Sequence, residues 1–179
     1  MNRLTFLLTA CVVLSSTATS MGQNKLNDLE MAHVAVTASN IDIAYAHIAL
    51  ALSENPAIRE FAETMIRDHS AVNGQVVALA KKLNVTAQDN ALSQKLVQDS
   101  KAIKDQLTRL RGAAFDAYYA KNELAYHRAV NGLVADSFIP NIMNPEVKSA
   151  FQGALTIFRG HEQHAEHMVS RVAPRMGGK

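Results

Sequence analysis

The chain is poor in the residues that build turns, cross-links and large aromatic cores. Its 179 residues include a single Cys, no Trp, 8 Gly and 4 Pro, and aromatic residues account for 6%. One cysteine cannot form an internal disulfide, so a disulfide-stabilised fold is excluded. The scarcity of Gly and Pro argues against a sheet-rich fold with many turns. The chain is instead rich in Ala and Leu, and 48% of its residues are hydrophobic. This composition favours α-helices.

A strong net charge is also absent. The formal net charge is +2, and the predicted helices carry acidic and basic residues together on their polar sides. The sequence shows no basic patch with interleaved aromatic residues, so nucleic-acid binding is not expected. It also lacks a Gly-x-Ser-x-Gly turn and a glycine-rich phosphate loop, which argues against serine hydrolase and nucleotide chemistry.

Residues 1–20 have the anatomy of a cleaved signal peptide. Asn2 and Arg3 give a short positive start, residues 4–14 form an apolar run too short to span a bilayer, and a short, mostly small and polar segment follows. Ala18 and Ser20 fit the small-x-small rule for cleavage after Ser20, and cleavage after Gly22 is the alternative. A polar lead then extends to residue 28 before the first predicted helix.

Cys11 offers a different interpretation of the same segment. Residues 8–11, Leu-Thr-Ala-Cys, match a lipobox in letters, but the apolar run continues beyond the cysteine through Val12, Val13 and Leu14. We therefore expect an exported, periplasmic protein, with outer-membrane association or lipidation at Cys11 as the less favoured alternatives. No apolar run after Leu14 approaches the length of a transmembrane helix, so no transmembrane segment is expected in the mature chain.

The spacing of apolar residues predicts helices over residues 29–53, 56–83, 92–110, 113–137 and 145–172. Asn55-Pro56 and Asn144-Pro145 each supply a strong N-cap followed by a proline at the first helical position. The stripe of the last helix is the most regular, with apolar residues and one histidine in steps of four and three: Val147, Phe151, Ala154, Phe158, His161, Ala165, Met168 and Val172.

The order of these helices predicts an all-α fold. Short loops at Asn55 and around Asn141 make each flanking pair of long helices antiparallel. Residues 92–110 form a helical crossover between the second and third long helices, because Gly112 interrupts the helix there. Two hairpins joined by a long connection indicate a ferritin-like up-down four-helix bundle. This domain would span residues 29–173, followed by a frayed tail at residues 174–179.

A set of short segments in these helices is similar to those of a known family. They are Asn55-Pro56 with Phe61-Ala62, Met65-Ile66-Arg67-Asp68-His69, Gly112-Ala113-Ala114-Phe115-Asp116 with Tyr119, His127 with Ala129-Val130, Asn144-Pro145-Glu146-Val147-Lys148, and His161. Over nearly the whole mature chain they resemble the exported bacterial family catalogued as domain of unknown function 4142. That family is labelled a predicted outer-membrane protein and placed among ferritin-like bundles. The resemblance implies a ferritin-like helical bundle and an exported location. The activity of the family is unassigned. The first helix of the family usually carries a Glu where this chain has Asp42.

One acidic residue and three histidines fall in four different predicted helices, and they are Asp42, His69, His127 and His161. His69 and His161 lie on apolar stripes, His127 lies on the flank of one, and Asp42 is the charged member of a stripe of small residues. A polar ring on an apolar face needs a partner. Three imidazoles and one carboxylate suit Zn, Cu, Ni or Fe better than Mg or Ca. The sequence therefore points to a transition-metal site inside the bundle, or to a buried polar cluster of purely structural value.

A standard di-iron centre is not expected. Ferritin-like di-iron sites use a Glu-x-x-His pair on each of two helices. The positions three before His69, His127 and His161 are occupied by Ile66, Leu124 and Phe158. Ferroxidase activity is therefore not predicted, and the chain is not assigned to any enzyme class.

Two further residues extend the candidate set. Asp68 could be an additional ligand or an acceptor that orients His69, and His164 could take part in a separate surface metal site. His33 and His47 lie off the Asp42 stripe and are expected to face solvent or a partner. Two classes of function remain open: an exported metal-binding bundle protein, and a non-catalytic envelope interaction or stress-related module whose cluster is structural. The expected partner is then an envelope protein or a second copy of the chain.

Overall fold

The computed structural model describes residues 25–172, and every regular element within that range is helical. Helix α1 spans Asp28–Leu52, α2 Pro56–Leu83, α3 Ala91–Arg109, α4 Gly112–Gly132, α5 Ile139–Asn141 and α6 Pro145–Val172. The predicted all-α fold is confirmed, and the predicted helices agree with these bounds except at the end of α4. The export signal, Cys11 and the C-terminal tail lie outside the described residues.

The end of the third long helix differs from the sequence-based prediction. We expected one helix through residue 137, but the α-helix ends at Gly132 and Leu133–Phe138 continue it as a π-helix. In this segment the N–H of Ile139 donates to the carbonyl of Val134, five residues back. Pro140 follows at once, and its ring would clash with the carbonyl four residues before it in a regular α-helix. The wider turn of the π-helix thus lets the helix continue as far as Pro140.

Asparagine side chains start three of the four long helices of the bundle. Asn27 accepts hydrogen bonds from the first turn of α1, and Glu30 bonds back to the N–H of Asn27 in a capping box. Asn55 caps α2 directly before Pro56, as predicted. The Oδ1 of Asn144 accepts from the backbone N–H groups of Glu146 and Val147, the second and third residues of α6. Each cap satisfies donors that the first turn of a helix leaves unpaired.

Two hydrogen-bonded ties fix the direction of the helices. At one end, the Ser53 hydroxyl after α1 donates to the Asp116 carboxylate at the start of α4, at 2.6 Å. At the other end, the Asp28 carboxylate at the start of α1 accepts from the backbone N–H groups of Met143 and Asn144, just before α6. Helices α1 and α6 therefore run in one direction, and α2 and α4 in the other.

The order of the four long helices is consequently up, down, down, up. Helix α3 packs along α1 and carries the chain back from the Asp28 end to the Ser53 end, as expected for a crossover. Gly112 makes the turn from α3 into α4 with a φ of +53°, in the left-handed region that favours glycine. Two hairpins, α1–α2 and α4–α6, then pack together through α2 against α6 and α1 against α4.

A polar layer divides the hydrophobic core in two. The first apolar core, near the Ser53 end, includes Tyr45, Phe61, Met65, Phe115 and Tyr119 among its buried residues. The second apolar core, near the Asp28 end, is built around buried residues that include Met31, Val34, Phe138, Phe151 and Leu155. Between them lie five buried residues that we call the polar layer: Asp42, His69, Glu123, His127 and His161. The helices thus bury apolar residues at both ends and ionisable residues in the middle.

Helix α1 is the one helix among the described residues that is long and apolar enough to cross a membrane, with a mean hydropathy of 1.3. This differs from our expectation that no segment past Leu14 approaches that length. In the structure, however, α1 packs against α2, α3 and α4, and it carries the buried Asp42 near its middle. Its apolar composition matches its position as the most enclosed helix of the bundle.

Removing the Ser53 hydroxyl should destabilise the fold. Ser53→Ala leaves the buried Asp116 carboxylate without its 2.6 Å donor, and an unsatisfied buried acceptor costs about 1–3 kcal/mol. We expect the free energy of unfolding in urea to fall by that amount. Ser170→Ala is the matched control, because Ser170 is exposed and bonds only within its own helix. Equal stability of the two variants would show that the tie between α1 and α4 contributes nothing.

Candidate metal centre

Each long helix of the bundle contributes one of the four residues predicted from the sequence. Asp42 comes from α1, His69 from α2, His127 from α4 and His161 from α6. None is more than 4% exposed, and Asp42 is fully buried. The structure therefore brings all four together, including His127, whose inward direction the sequence left open.

Two of the three histidines approach the Asp42 carboxylate, and the third lies beside those two. Its Oδ2 lies 2.6 Å from the Nε2 of His69 and 3.4 Å from the Nε2 of His127. One ring nitrogen from each of His69, His127 and His161 lies within 4.8 Å of the other two. Neither oxygen of Asp42 has a well-directed hydrogen bond, and nor does the Nε2 of His69 or of His127. Close approach without hydrogen bonding is the feature of this cluster that calls for an explanation.

The outer nitrogen of each histidine is held by a fixed neighbour. The Nδ1 of His69 lies 3.1 Å from the Ser39 hydroxyl. The Nδ1–H of His127 donates to the backbone carbonyl of Glu123 at 3.0 Å, and the Nε2–H of His161 donates to the Asp68 carboxylate at 3.0 Å. Bonds of this kind set the tautomer and orientation of histidines that bind metals.

These outer bonds determine what the inner nitrogens can do. A carbonyl and a carboxylate only accept, so His127 and His161 must carry their hydrogens on the outer nitrogens. Burial lowers the pKa of His127, and it lowers the pKa of His161 to about 4 despite the neighbouring Asp68. Both rings are therefore neutral near pH 7. Their other nitrogens, Nε2 of His127 and Nδ1 of His161, therefore carry lone pairs that are buried and have no hydrogen-bond partner.

Glu123 is a member of this layer that our sequence analysis missed. It is fully buried, one turn before His127 on α4, and its Oε2 lies 3.8 Å from the Nδ1 of that ring. Asp42, Glu123 and His127 form a second set of potential ligands within 4.8 Å of one another. A Glu-x-x-His pair would place the glutamate at position 124, three residues before His127. Here the glutamate lies four residues before that histidine. That spacing also places two side chains on one helix face.

The two carboxyl groups of the layer differ in protonation. Burial raises the pKa of Glu123 well above its usual range, and the nearby Asp42 raises it further. Burial also raises the pKa of Asp42, but the adjacent His69, whose Nε2 lies 2.6 Å away, outweighs it and leaves the pKa below its ordinary value. Asp42 is therefore ionised and Glu123 neutral near pH 7.

Asp68 supports a different histidine from the one expected. The sequence suggested that it orients His69, its neighbour in the chain, but its carboxylate accepts from His161 across the α2–α6 contact. Adjacent residues in a helix point about 100° apart, so Asp68 and His69 face different neighbours. Asp68 is one quarter exposed and also accepts a hydrogen bond from Arg67. It connects the layer to the protein surface.

The remaining histidines lie outside the layer. His164 is half-buried and contacts the edge of the Phe61 ring, with centroids 5.0 Å apart. Within residues 25–172, the ligand sets close enough for a metal include neither His164 nor its neighbour His167. His47 is exposed as expected, whereas His33 is partly buried and lies 3.6 Å from Asp89.

A small cavity and two tyrosine hydroxyls complete the surroundings of the polar layer. A cavity of about 20 Å³ reaches His69 and His127 and is lined elsewhere by apolar residues and Ser39. This is enough room for one water-sized species. The Tyr126 hydroxyl donates to the Ala38 carbonyl, while the Tyr119 hydroxyl is buried and unpartnered. Burial raises the pKa of Tyr119 well above its ordinary value, so it remains a neutral phenol.

Glu123→Gln should stabilise the metal-free protein at neutral and alkaline pH. The raised pKa of Glu123 means that its contribution to stability is complete below its ordinary value of 4.5 and is lost as the pH rises. Glutamine has nearly the same shape and remains neutral at every pH. We expect a gain on the order of 1 kcal/mol in unfolding free energy at pH 8 that disappears near pH 4.5.

The measurement is thermal unfolding in the presence of a chelator across this pH range. Glu63→Gln is the control, because it makes the same chemical change at an exposed position of α2. A Glu123→Gln protein that is less stable than the wild type at pH 8 would contradict a neutral, buried Glu123.

Comparison with known families identifies the family to which the chain belongs. The model of a family described as "Domain of unknown function (DUF4142)" matches residues 13–168. The match begins inside the predicted export signal and includes every residue of the polar layer. Comparisons with curated proteins and with solved structures gave no match. Since the matched region covers most of the sequence, the chain belongs to the DUF4142 family, as the segments in its helices predicted.

Proposed function

We propose that this protein is an exported helical bundle that binds one transition-metal ion in the polar layer. His69, His127, His161 and Asp42 are the proposed ligands, and Glu123 is a fifth candidate that the sequence did not reveal. The observation that carries the proposal is the arrangement of the imidazoles. Each has its outer nitrogen held by a neighbour. The inner nitrogens of His69 and His127 face the ionised Asp42 carboxylate, and that of His161 has no hydrogen-bond partner.

Electrostatics supports a cation at this point. In the neutral tautomer fixed by its outer bond, His127 presents a lone pair to an Asp42 oxygen only 3.4 Å away. Two acceptors face each other there without a hydrogen between them, and buried acceptors left unpaired are costly. A cation coordinated by both would turn this repulsion into attraction. The same ion would satisfy the unpaired Nδ1 of His161.

The donor set restricts the choice of metal. Imidazole nitrogens with one or two carboxylates suit Zn, Cu, Ni and Fe, whereas Mg and Ca prefer oxygen ligands. Asp42 together with an ionised Glu123 would balance the charge of a single divalent ion. Two such ions would leave an excess of positive charge in a buried site. The two Glu-x-x-His pairs of di-iron proteins are absent from the sequence, so we do not propose ferroxidase activity.

Metal content is the direct test. The mature protein, purified without a His tag from culture supplemented with Zn, Cu, Ni and Fe, should hold about one tightly bound ion per chain, as a closed four-ligand site does. The ion should be lost from the His69→Ala/His161→Ala variant. A saturating metal should also raise the unfolding free energy of the wild type, by about 2.7 kcal/mol at a hundredfold excess over the Kd.

The matched control is His164→Ala/His167→Ala. It removes two histidines from α6, the helix that also carries His161, but neither of them lies in the polar layer. Its metal content should equal that of the wild type. A wild-type protein that remains metal-free and takes up none of the four metals would refute the proposal. The cluster would then be structural, and an envelope interaction or stress-related role would be favoured.

Export is the second part of the proposal, and it rests on residues 1–22. Protein recovered from the periplasm of an expressing bacterium should begin at Met21 or Gln23, as intact mass measurement will show. A signal-blocking Ala18→Arg/Ser20→Arg variant should stay uncleaved, because the small-x-small pattern is lost. Cys11→Ser should be processed like the wild type. Loss of processing in Cys11→Ser, or a lipid-modified Cys11 at the new N-terminus, would instead establish a lipoprotein.

A further inference from the structure

A partly exposed carboxylate contacts the polar layer where α2 packs against α6. It belongs to Asp68, and its Oδ2 accepts a hydrogen bond from the Nε2–H of His161 at 3.0 Å. Among the side chains of residues 25–172, it is the one partly exposed carboxylate that hydrogen-bonds to a histidine of the layer, since Asp42 and Glu123 are fully buried. A cation in solvent therefore meets at Asp68 a negative charge in direct contact with a proposed ligand.

The other oxygen of the same carboxylate is paired from the solvent side. The Nε–H of Arg67 donates to the Oδ1 of Asp68 at 2.7 Å, and the Arg67 side chain is 70% exposed. Asp68 thus accepts one hydrogen bond from outside and one from the layer. A metal ion that binds Asp68 would have to displace both donors, and the guanidinium of Arg67 would repel it.

The His161 ring lies between Asp68 and the other histidines of the layer. Its centroid is 5.2 Å from that of His69 and 5.5 Å from that of His127. Its Nδ1 is buried without a hydrogen-bond partner, so the bond to Asp68 is the one that fixes the ring. An ion that takes the Asp68 carboxylate removes this bond. The ring is then free to rotate about its Cβ–Cγ bond and admit the ion.

The other sides of the layer are less suited to a cation. Helix α3 lies along α1 and covers that side. A cavity of about 70 Å³ between α1, α2 and α6 reaches Ser39, but its walls are mostly apolar, and a hydrated ion would lose water there without replacement. On the α4–α6 side, Glu162 is as exposed as Asp68, but its carboxylate accepts a hydrogen bond from Asn131 and none from the layer.

We propose that divalent transition-metal ions enter and leave the polar layer at Asp68, and that Arg67 slows this exchange by pairing with the same carboxylate. Asp68 is then a transient ligand that the ion binds before it reaches the histidines. Once the ion is inside, Asp68 accepts again from the Nε2–H of His161, which keeps its hydrogen throughout. This inference rests on the proposed function, because it assigns an entrance to that metal centre.

The test measures the rate of metal uptake separately from the amount of metal bound. Metal-free mature protein is mixed with Co²⁺ in a stopped-flow instrument, and the absorbance of the protein-bound cobalt is followed. Asp68→Asn keeps an oxygen that can accept from His161 but removes the charge. We expect uptake about fivefold slower, the effect of one unit charge about 4 Å away in water. At saturating Co²⁺ the variant should still hold about one ion per chain.

Removing the arginine should have the opposite effect. Arg67→Met eliminates both the competing donor and the repelling charge at an exposed position. We expect uptake about threefold faster, a smaller change because the guanidinium is screened by solvent. Added salt should cancel most of this gain, because it screens the attraction between the ion and the Asp68 carboxylate. A purely structural role of the Arg67–Asp68 pair would not produce this dependence on salt.

Glu162→Gln and Arg128→Met are the matched controls on the α4–α6 side. Glu162 has nearly the same exposure as Asp68, and the Nε of Arg128 lies 3.5 Å from its carboxylate. Both controls should take up Co²⁺ within about twofold of the wild-type rate, since neither residue contacts the layer and distant exposed charges are screened. Circular dichroism verifies that every variant is folded. If Glu162→Gln slowed uptake as much as Asp68→Asn, the entrance would not be at Asp68.

Rate and metal content together separate this proposal from the metal centre. A wild type that binds one ion, at a rate that neither Asp68→Asn nor Arg67→Met changes, would refute only the entrance at Asp68. A metal content in Asp68→Asn as low as that of His69→Ala/His161→Ala would make Asp68 a permanent ligand, and the proposal would again be wrong. A wild type without saturable metal binding would refute the metal centre and this proposal with it.

Discussion

The fold is organised around one buried negative charge. Asp42 lies in the middle of the most apolar helix, fully enclosed, with neither oxygen in a well-directed hydrogen bond. A lone carboxylate in such a place would take up a proton, and the His69 ring, 2.6 Å away, opposes this by holding the pKa of Asp42 low. Each of the other long helices must supply a polar group at the same level. The two apolar cores and the division between them follow from that requirement.

Most of the architecture could be read from apolar spacing and from two Asn-Pro pairs. These features depend on local chemistry: an asparagine caps the helix that follows it, and a stripe in steps of three and four marks the buried face. Asp42, His69 and His161 were identifiable for the same reason, since a polar residue inside an apolar stripe is visible along a single helix. The ferritin-like connectivity likewise follows from two short loops and one long crossover.

What the sequence did not reveal depends on contacts between helices. Glu123 was overlooked because it lies four rather than three residues before His127, and nothing along α4 alone distinguishes a buried glutamate from an exposed one. Asp68 supports His161 rather than its neighbour His69, because the partner is chosen by the packing of α2 against α6. Neither contact has a signature in a single helix. The π-helical end of α4 was missed for a different reason, since Pro140 is visible in the sequence but the wider turn before it was not predicted.

The crossover helix gives the polar layer two unlike sides. Helix α3 lies along α1 and covers the side on which Asp42 enters, whereas within residues 25–172 no helix covers the α2–α6 side in this way. On the α2–α6 side, Asp68 links His161 to the solvent-exposed Arg67. The interior therefore has a direction. A cation or proton that approaches from solvent on this side meets the Asp68 carboxylate first, then the His161 imidazole, and only then the enclosed charge of Asp42. A bundle of four equivalent helices would have no such direction.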